Sequence, residues 1–142
     1  MEPKKPVTVV TSGYFDPLHV GHIELMEKAK ALGDKLVVVV NNTSQAIQKK
    51  GHEFMPCKER MKIISSLKFV DEVVESVDID QTQCETLALI KPDIFAKGGD
   101  RYSHEIPEAA TCKEHNIEII HGLGDKIQSS SDLVAKSKET QN

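Results

Sequence analysis

Five consecutive apolar residues, Leu36, Val37, Val38, Val39 and Val40, constrain this chain more than any other feature. A strand with one face in water alternates apolar and polar residues. A strand covered on both faces is apolar throughout, as in a parallel sheet with helices above and below it. Four further β-type runs accompany it, at residues 7–11, 70–77, 93–96 and 117–120, of which 70–77 is the more exposed. Helical patterns lie between them. Ile23, Leu25, Met26, Ala29 and Leu32 form a wide apolar stripe, expected to end at Gly33 as a C-cap. Met61, Ile64 and Leu67 repeat at helical spacing after Pro56. Leu87 and Ile90 precede Pro92, and Ala109 and Ala110 follow Pro107. A last helix is expected to start among Ser129, Ser130, Ser131 and Asp132, which are natural N-caps.

Strand alternating with helix means βαβ units with right-handed crossovers. The chain is therefore expected to be a single-domain α/β protein, a doubly wound five-stranded parallel sheet of Rossmann-like class spanning residues 1–142, with 1–6 and 137–142 frayed. Ligands of such sheets bind outside the carboxyl ends of the strands, so the loops after the strands are the places to search.

Composition excludes several functions. Acidic residues outnumber basic ones, 22 against 18, no Lys/Arg stripe runs along any segment, and the two Tyr and four Phe are scattered. Nucleic acid is not an expected partner. The opening residues 1–6 have two prolines and no apolar stretch, unlike a signal peptide, and the longest apolar run is far short of the roughly 20 residues of a membrane span. No membrane partner and a cytoplasmic location are expected. Cys57, Cys84 and Cys112 are odd in number and widely spaced, which suits packing roles in a reducing compartment rather than a disulfide framework or a metal knuckle.

The first strand runs into Gly13-Tyr14-Phe15-Asp16-Pro17-Leu18-His19-Val20-Gly21-His22, and a helix follows. Gly13 lets the backbone turn and approach a ligand without a Cβ in the way. The helix start near His19 is expected to present open N–H groups and about half a positive charge, an anion site. His19 and His22, three apart, project from one side of the first turn, and Gly21 leaves room for a flat group. Two imidazoles over a helix start suit phosphate oxygens. A dinucleotide site would need G-x-G-x-x-G and a P-loop would need Gly-Lys-Ser/Thr; neither is present. A metal pair or incidental surface histidines remain the bland alternatives, the first lacking a third ligand at a convincing spacing.

This block resembles the G-x-F-D-x-x-H-x-G-H signature of the cytidylyltransferase-like nucleotidyltransferases, and is similar to glycerol-3-phosphate cytidylyltransferases and heptose-1-phosphate adenylyltransferases. Further blocks follow in order over nearly the whole chain. Lys50-Gly51 and Glu59-Arg60 resemble the family's lysine and arginine segment, and Lys97-Gly98-Gly99-Asp100 resembles the K-G-G-D of the heptose-phosphate enzymes. Ile127-Gln128-Ser129-Ser130-Ser131 stands where the family has I-S-T-T or R-S-T-T.

The resemblance implies transfer of AMP or CMP from a nucleoside triphosphate to a sugar phosphate or glycerol phosphate, with release of pyrophosphate. The attacking phosphate is already anionic, so alignment and charge stabilisation matter more than a base. His19, His22, Lys50 and Arg60 take the catalytic roles in that scheme. Gly13, Tyr14, Phe15, Asp16, Gly21, Lys97, Gly98, Gly99, Asp100, Ser129, Ser130 and Ser131 form the nucleotide site. Lys50 is expected on a mobile polar loop over residues 48–52. Arg60 shares the apolar face of its helix with Ile64 and Leu67, where a charge needs a partner; a phosphate would satisfy it, as would a structural salt bridge. Mg²⁺ is expected with the triphosphate, held by phosphate oxygens and water, with no protein metal site. A homodimer is implied by the family. Two departures stand out. Serine replaces threonine in the last block, and Lys126 stands near where cytidylyltransferases place an arginine. A non-catalytic nucleotide-binding regulatory domain is the competing class. A relic of a class I aminoacyl-tRNA synthetase lacks K-M-S-K-S.

Overall fold

A computed structural model describes residues 6–16, 18–80, 82–98 and 107–123. Its elements alternate in the expected way: β1 (Thr8–Gly13), α1 (Val20–Lys30), β2 (Lys35–Val40), α2 (Thr43–Lys50), α3 (Cys57–Ser65), β3 (Glu72–Glu75), α4 (Cys84–Ile90), β4 (Ile94–Gly98), α5 (Ala109–Glu114) and β5 (Glu118–Leu123). The five strands form one sheet in the order β3-β2-β1-β4-β5, with every pairing parallel. The order reverses beside β1, so the loops after β1 and β4 diverge and open a crevice between them.

The apolar run in β2 divides between two cores. Leu36, Val38 and Val40 pack with Val9, Met26, Ala29 and Ile64 on one face of the sheet. Val37 and Val39 pack with Val10, Leu87, Phe95 and Cys112 on the other. A period of two with both phases apolar has this consequence, since successive side chains point to opposite faces. β3 has one neighbour and is shorter than the 70–77 run suggested.

At the amino end of the sheet three aspartates each precede a strand and pin a neighbouring one. Asp34 Oδ2 accepts the Val7 N–H at 2.7 Å, Asp93 Oδ2 that of Thr8 at 2.8 Å, and Asp71 Oδ2 that of Leu36 at 2.8 Å. Hydrogen bonding from Lys30 and then from the Leu36 N–H holds the Asp71 carboxyl below its ordinary value.

Gly33 differs from its expected role. The helix ends at Ala31, a right-handed C-cap with φ −65°. A Cβ on Gly33 would instead stand 2.7 Å from the Val7 carbonyl oxygen, so the glycine is there for close approach of helix and strand. The mobile loop expected around Lys50 is also corrected. Residues 43–50 are helix α2, opened by a capping box between Asn42 and Gln45 and closed by Gly51 at φ 82°.

Above the carboxyl edge, Arg60 ties three loops together. Its side chain is buried within α3 and spends its donors on protein. Nε donates to the Met55 carbonyl at 2.8 Å, Nη1 to those of Tyr14 and Asn41, each at 2.8 Å, and Nη2 to Glu53. The partner expected to be a phosphate is thus a set of backbone carbonyls and one carboxylate. Asp16, buried beside it, accepts from Lys50 Nζ at 3.0 Å and from the Phe54 and Met55 N–H groups at 2.7 Å each. Desolvation pushes its carboxyl up, but the Lys50 ammonium and the two N–H donors outweigh that and lower its pKa.

Two stability effects are expected in urea titrations. Gly33→Ala forces the helix away from Val7 and should cost about 1–3 kcal/mol. Arg60→Met strands Glu53 and the loop carbonyls and should cost about 3–5 kcal/mol. An unchanged midpoint for Arg60→Met would remove it from the scaffold.

Candidate active site

The loop after β1 is shaped around one ring. Phe15 holds φ at 52°, a left-handed value that a bulky residue adopts only where its surroundings compel it. Here the ring is buried in the core shared with α1. A Cβ on Gly13 would lie 2.8 Å from that ring, so Gly13 makes room for Phe15. His22 then stands edge-on to Phe15, with centroids 5.0 Å apart at 87°. His19 stacks on His22 at 3.7 Å and 25°. The two imidazoles predicted to act together are in contact.

They also open the helix. His19 is the N-cap of α1, and its Nδ1 accepts the Gly21 N–H at 3.0 Å. The His22 Nδ1 accepts the His19 N–H, also at 3.0 Å. The N–H groups expected to be open to an anion are therefore partly taken by the histidines themselves. In return, an imidazole whose Nδ1 accepts carries its proton on Nε2 when neutral, so the cap fixes both rings as Nε2–H donors. Burial, with the neighbouring His19 second, lowers the His22 pKa to about 4. His22 is neutral at physiological pH.

The two lysines of α2 part company. Lys50 is held by the Asp16 carboxylate and carbonyl, the latter at 2.9 Å. Lys49, passed over in the sequence, stands 5.2 Å from the Tyr14 ring centroid and lines a cleft of about 410 Å³. That cleft opens at the carboxyl ends of β1, β2 and β4, between Ser12, Gly13, Asn41 and Lys97. The pairing of β4 with β5 shifts register between Ala96 and Gly98, the residues on either side of Lys97. Burial raises the Tyr14 phenol, and the adjacent Asn41 offsets part of the rise. Within hydrogen-bonding limits, however, the Tyr14 hydroxyl finds no partner among the described residues.

The cleft is also lined by Thr82, Gln83, Pro107 and Glu108, none of which the sequence marked as a site residue. Gln83 and Glu108 are both 3% exposed, and each leaves a buried Oε1 without a partner among the described residues. Gly98 ends β4. Gly99, Asp100, Ser129, Ser130 and Ser131 lie outside the described residues, as do Lys126 and the expected last helix.

The profile of the cytidylyltransferase-like family matches residues 10–139. The chain is 36% identical to an FAD synthase of Thermococcus sibiricus, over 99% of its own length and 98% of that protein's. It is 39% identical to the bifunctional protein HldE of a Nitratiruptor species, over 80% of this chain but 25% of that protein, so it spans about a quarter of that relative. A lipopolysaccharide core biosynthesis protein of Thermoplasma volcanium has a similar crystal structure, with TM-score 0.69 and 31% identity over 82% of this chain and 96% of that one. By a match of this extent the chain belongs to the cytidylyltransferase-like family of nucleotidyltransferases.

Proposed function

We propose that the chain transfers AMP from ATP to a phosphorylated small metabolite and releases pyrophosphate. A phosphate oxygen of the acceptor attacks the α-phosphorus, the new P–O bond forms, and the bond to the β-phosphate oxygen breaks. The stacked His19–His22 pair carries this reading: two Nε2–H donors, fixed by the helix cap, at the carboxyl end of β1. Donors of that kind stabilise charge that builds on the α-phosphate and leaving group. Lys49 and Lys97 add positive charge to the same edge. Lys50 and Arg60 act indirectly in this scheme, by holding the loop that bears Tyr14 and Phe15. The end-to-end likeness to an FAD synthase favours ATP over CTP and adds FMN to the sugar phosphates and glycerol phosphate as candidate acceptors. Among the described residues no three His, Cys, Asp or Glu side chains are grouped to hold a metal. Mg²⁺ enters this scheme with the triphosphate, carried by phosphate oxygens and water. A homodimer belongs to the same proposal, and sedimentation at micromolar concentration checks it.

The decisive measurement is pyrophosphate release with ATP, CTP, GTP and UTP, each against FMN, glycerol 3-phosphate and a set of sugar phosphates. ATP with at least one acceptor is expected to turn over. Tight nucleotide binding with silence across the panel would instead point to a regulatory nucleotide-binding domain.

Asparagine at either histidine keeps an oxygen that can cap the helix but removes the Nε2–H. His19→Asn and His22→Asn should each lower turnover by about 100-fold with the fold intact. An unaltered rate excludes that ring from the reaction.

The neutrality of His22 has its own check. Its pKa falls from the ordinary 6.5 to about 4 on folding, so between these values the unfolded chain binds the extra proton. This contribution to stability is present above pH 6.5 and is lost as pH falls toward 4. Relative to His22→Asn, the wild-type protein should lose urea resistance across that window. Parallel curves for the two proteins would show that the ring is not held neutral.

A further inference from the structure

The cleft that Lys49 lines also contains two polar side chains that the phosphate chemistry leaves unused. Gln83 is the N-cap residue of α4 and Glu108 that of α5, yet neither side chain caps its own helix. Around α4 the reason is visible. Asp78, at the end of the segment after β3, accepts the Glu85 N–H at 2.8 Å and the Thr86 N–H at 3.0 Å, so the start of α4 is already satisfied. Glu108 Oε2 accepts the Gln83 N–H at 2.8 Å, which locks the two residues together. What remains is a carboxylate oxygen and an amide oxygen, both buried and without a partner among the described residues, on two residues that line the cleft. The hydroxyl of Tyr14, which also lines the cleft, is in the same condition. Native structures rarely leave buried acceptors unmatched, because each costs its full desolvation. Three such atoms in one cleft point to a ligand that completes them.

We infer that the Gln83 and Glu108 oxygens receive hydroxyl groups of the acceptor molecule, in the part beyond its phosphate. This rests on the adenylyl-transfer reading. A hydroxyl both donates and accepts, so a polyol can give protons to Gln83 and Glu108 and take one from Tyr14. A cationic ligand is disfavoured, because Lys49 lines the same cleft. Sugar phosphates carry such hydroxyls on a ring, and FMN carries them on its ribityl chain. Gln83 and Glu108 therefore determine specificity for the hydroxylated body of the acceptor and leave the nucleotide alone.

Calorimetry on the whole protein, saturated with α,β-methylene-ATP, tests this with FMN, lumiflavin, glucose 1-phosphate and glycerol 3-phosphate. The variants are Gln83→Leu and Glu108→Gln; the second keeps an oxygen for the Gln83 N–H but turns an amide N–H₂ toward the cleft. At least one hydroxylated phosphate should bind the wild-type protein, and each variant should weaken it by about tenfold or more. Affinity for the nucleotide analogue should stay within about twofold. If FMN is the compound bound, lumiflavin, which lacks the ribityl phosphate, should be indifferent to both variants; if a sugar phosphate is bound instead, the ring hydroxyls are the source. Folded variants that bind the acceptor as tightly as the wild type would overturn the inference. So would equal losses for the nucleotide analogue or for lumiflavin, or a wild-type protein that binds none of the hydroxylated phosphates. Failure of adenylyl transfer itself would be seen separately, as absence of pyrophosphate release by a protein whose Gln83 and Glu108 still govern polyol binding.

Discussion

Arg60 brings a permanent positive charge into a place that water does not reach, and the loops above the sheet are arranged around it. In a parallel sheet the segments leaving the strands carry carbonyl groups that no neighbouring strand can satisfy. A guanidinium has five donors in one plane, enough to serve several such carbonyls together. It meets Tyr14 after β1, Asn41 after β2 and Met55 before α3, while Glu53 neutralises it. Asp16 and Lys50 repeat the device with the signs exchanged, a buried carboxylate taking two backbone N–H groups and an ammonium. The two knots share the 53–55 segment. Removing either partner leaves the other buried and uncompensated, which is why these charges hold geometry more firmly than an exposed pair would.

Rigidity of that loop is what the histidines require. Phe15 can keep a left-handed backbone because its ring is clamped in the core and its neighbours on both sides are tied down by Arg60 and Lys50. The Phe15 ring then sets the angle of His22, and His22 supports His19. Each imidazole uses Nδ1 on the backbone, so its tautomer is decided by the fold before any ligand arrives. Preorganised donors of this kind need no rearrangement when charge develops against them.

Much of this was legible in the chain. The uninterrupted Leu36–Val40 run required a sheet covered on both faces, and the strand–helix alternation required parallel pairing. The glycine turn and His-x-Gly-His gave the helix after β1 and two rings that the structure brings into contact. What stayed hidden has identifiable physical causes. Helix α2 escaped because the side chain it buries most deeply, besides Ala46, is Gln45, whose amide reaches the Asp80 and Thr82 carbonyls; hydrophobic periodicity cannot see a buried polar anchor. Gly33 follows an apolar stripe, where a C-cap and a close approach to a distant strand look alike. For Arg60 the pattern called for a partner, but that partner is assembled from residues up to 46 positions away. The roles expected of Asp100 and the three serines rest on the family likeness, beyond the described residues.

The cleft shows the opposite economy from the loop. Between β3 and α4 the polar side chains close on one another: Asp78 takes three donors, including the Thr86 hydroxyl at 2.5 Å, and Ser76 and Thr86 bridge to each other. A few residues further on, Gln83 and Glu108 leave oxygens open. Had the chain simply lacked donors there, the fault would be expected to be scattered. Instead, among the described residues, the unpartnered buried side-chain oxygens are those of Gln83, Glu108 and Tyr14, all on residues that line the cleft. Local rules of satisfaction are broken where something else must satisfy them. A protein built this way gains stability when its cleft is filled, because the ligand relieves a cost that the empty fold carries. The helix cap and the cleft thus differ in kind: the cap closes hydrogen bonds between the two histidines and the backbone, whereas residues lining the cleft keep buried oxygens open.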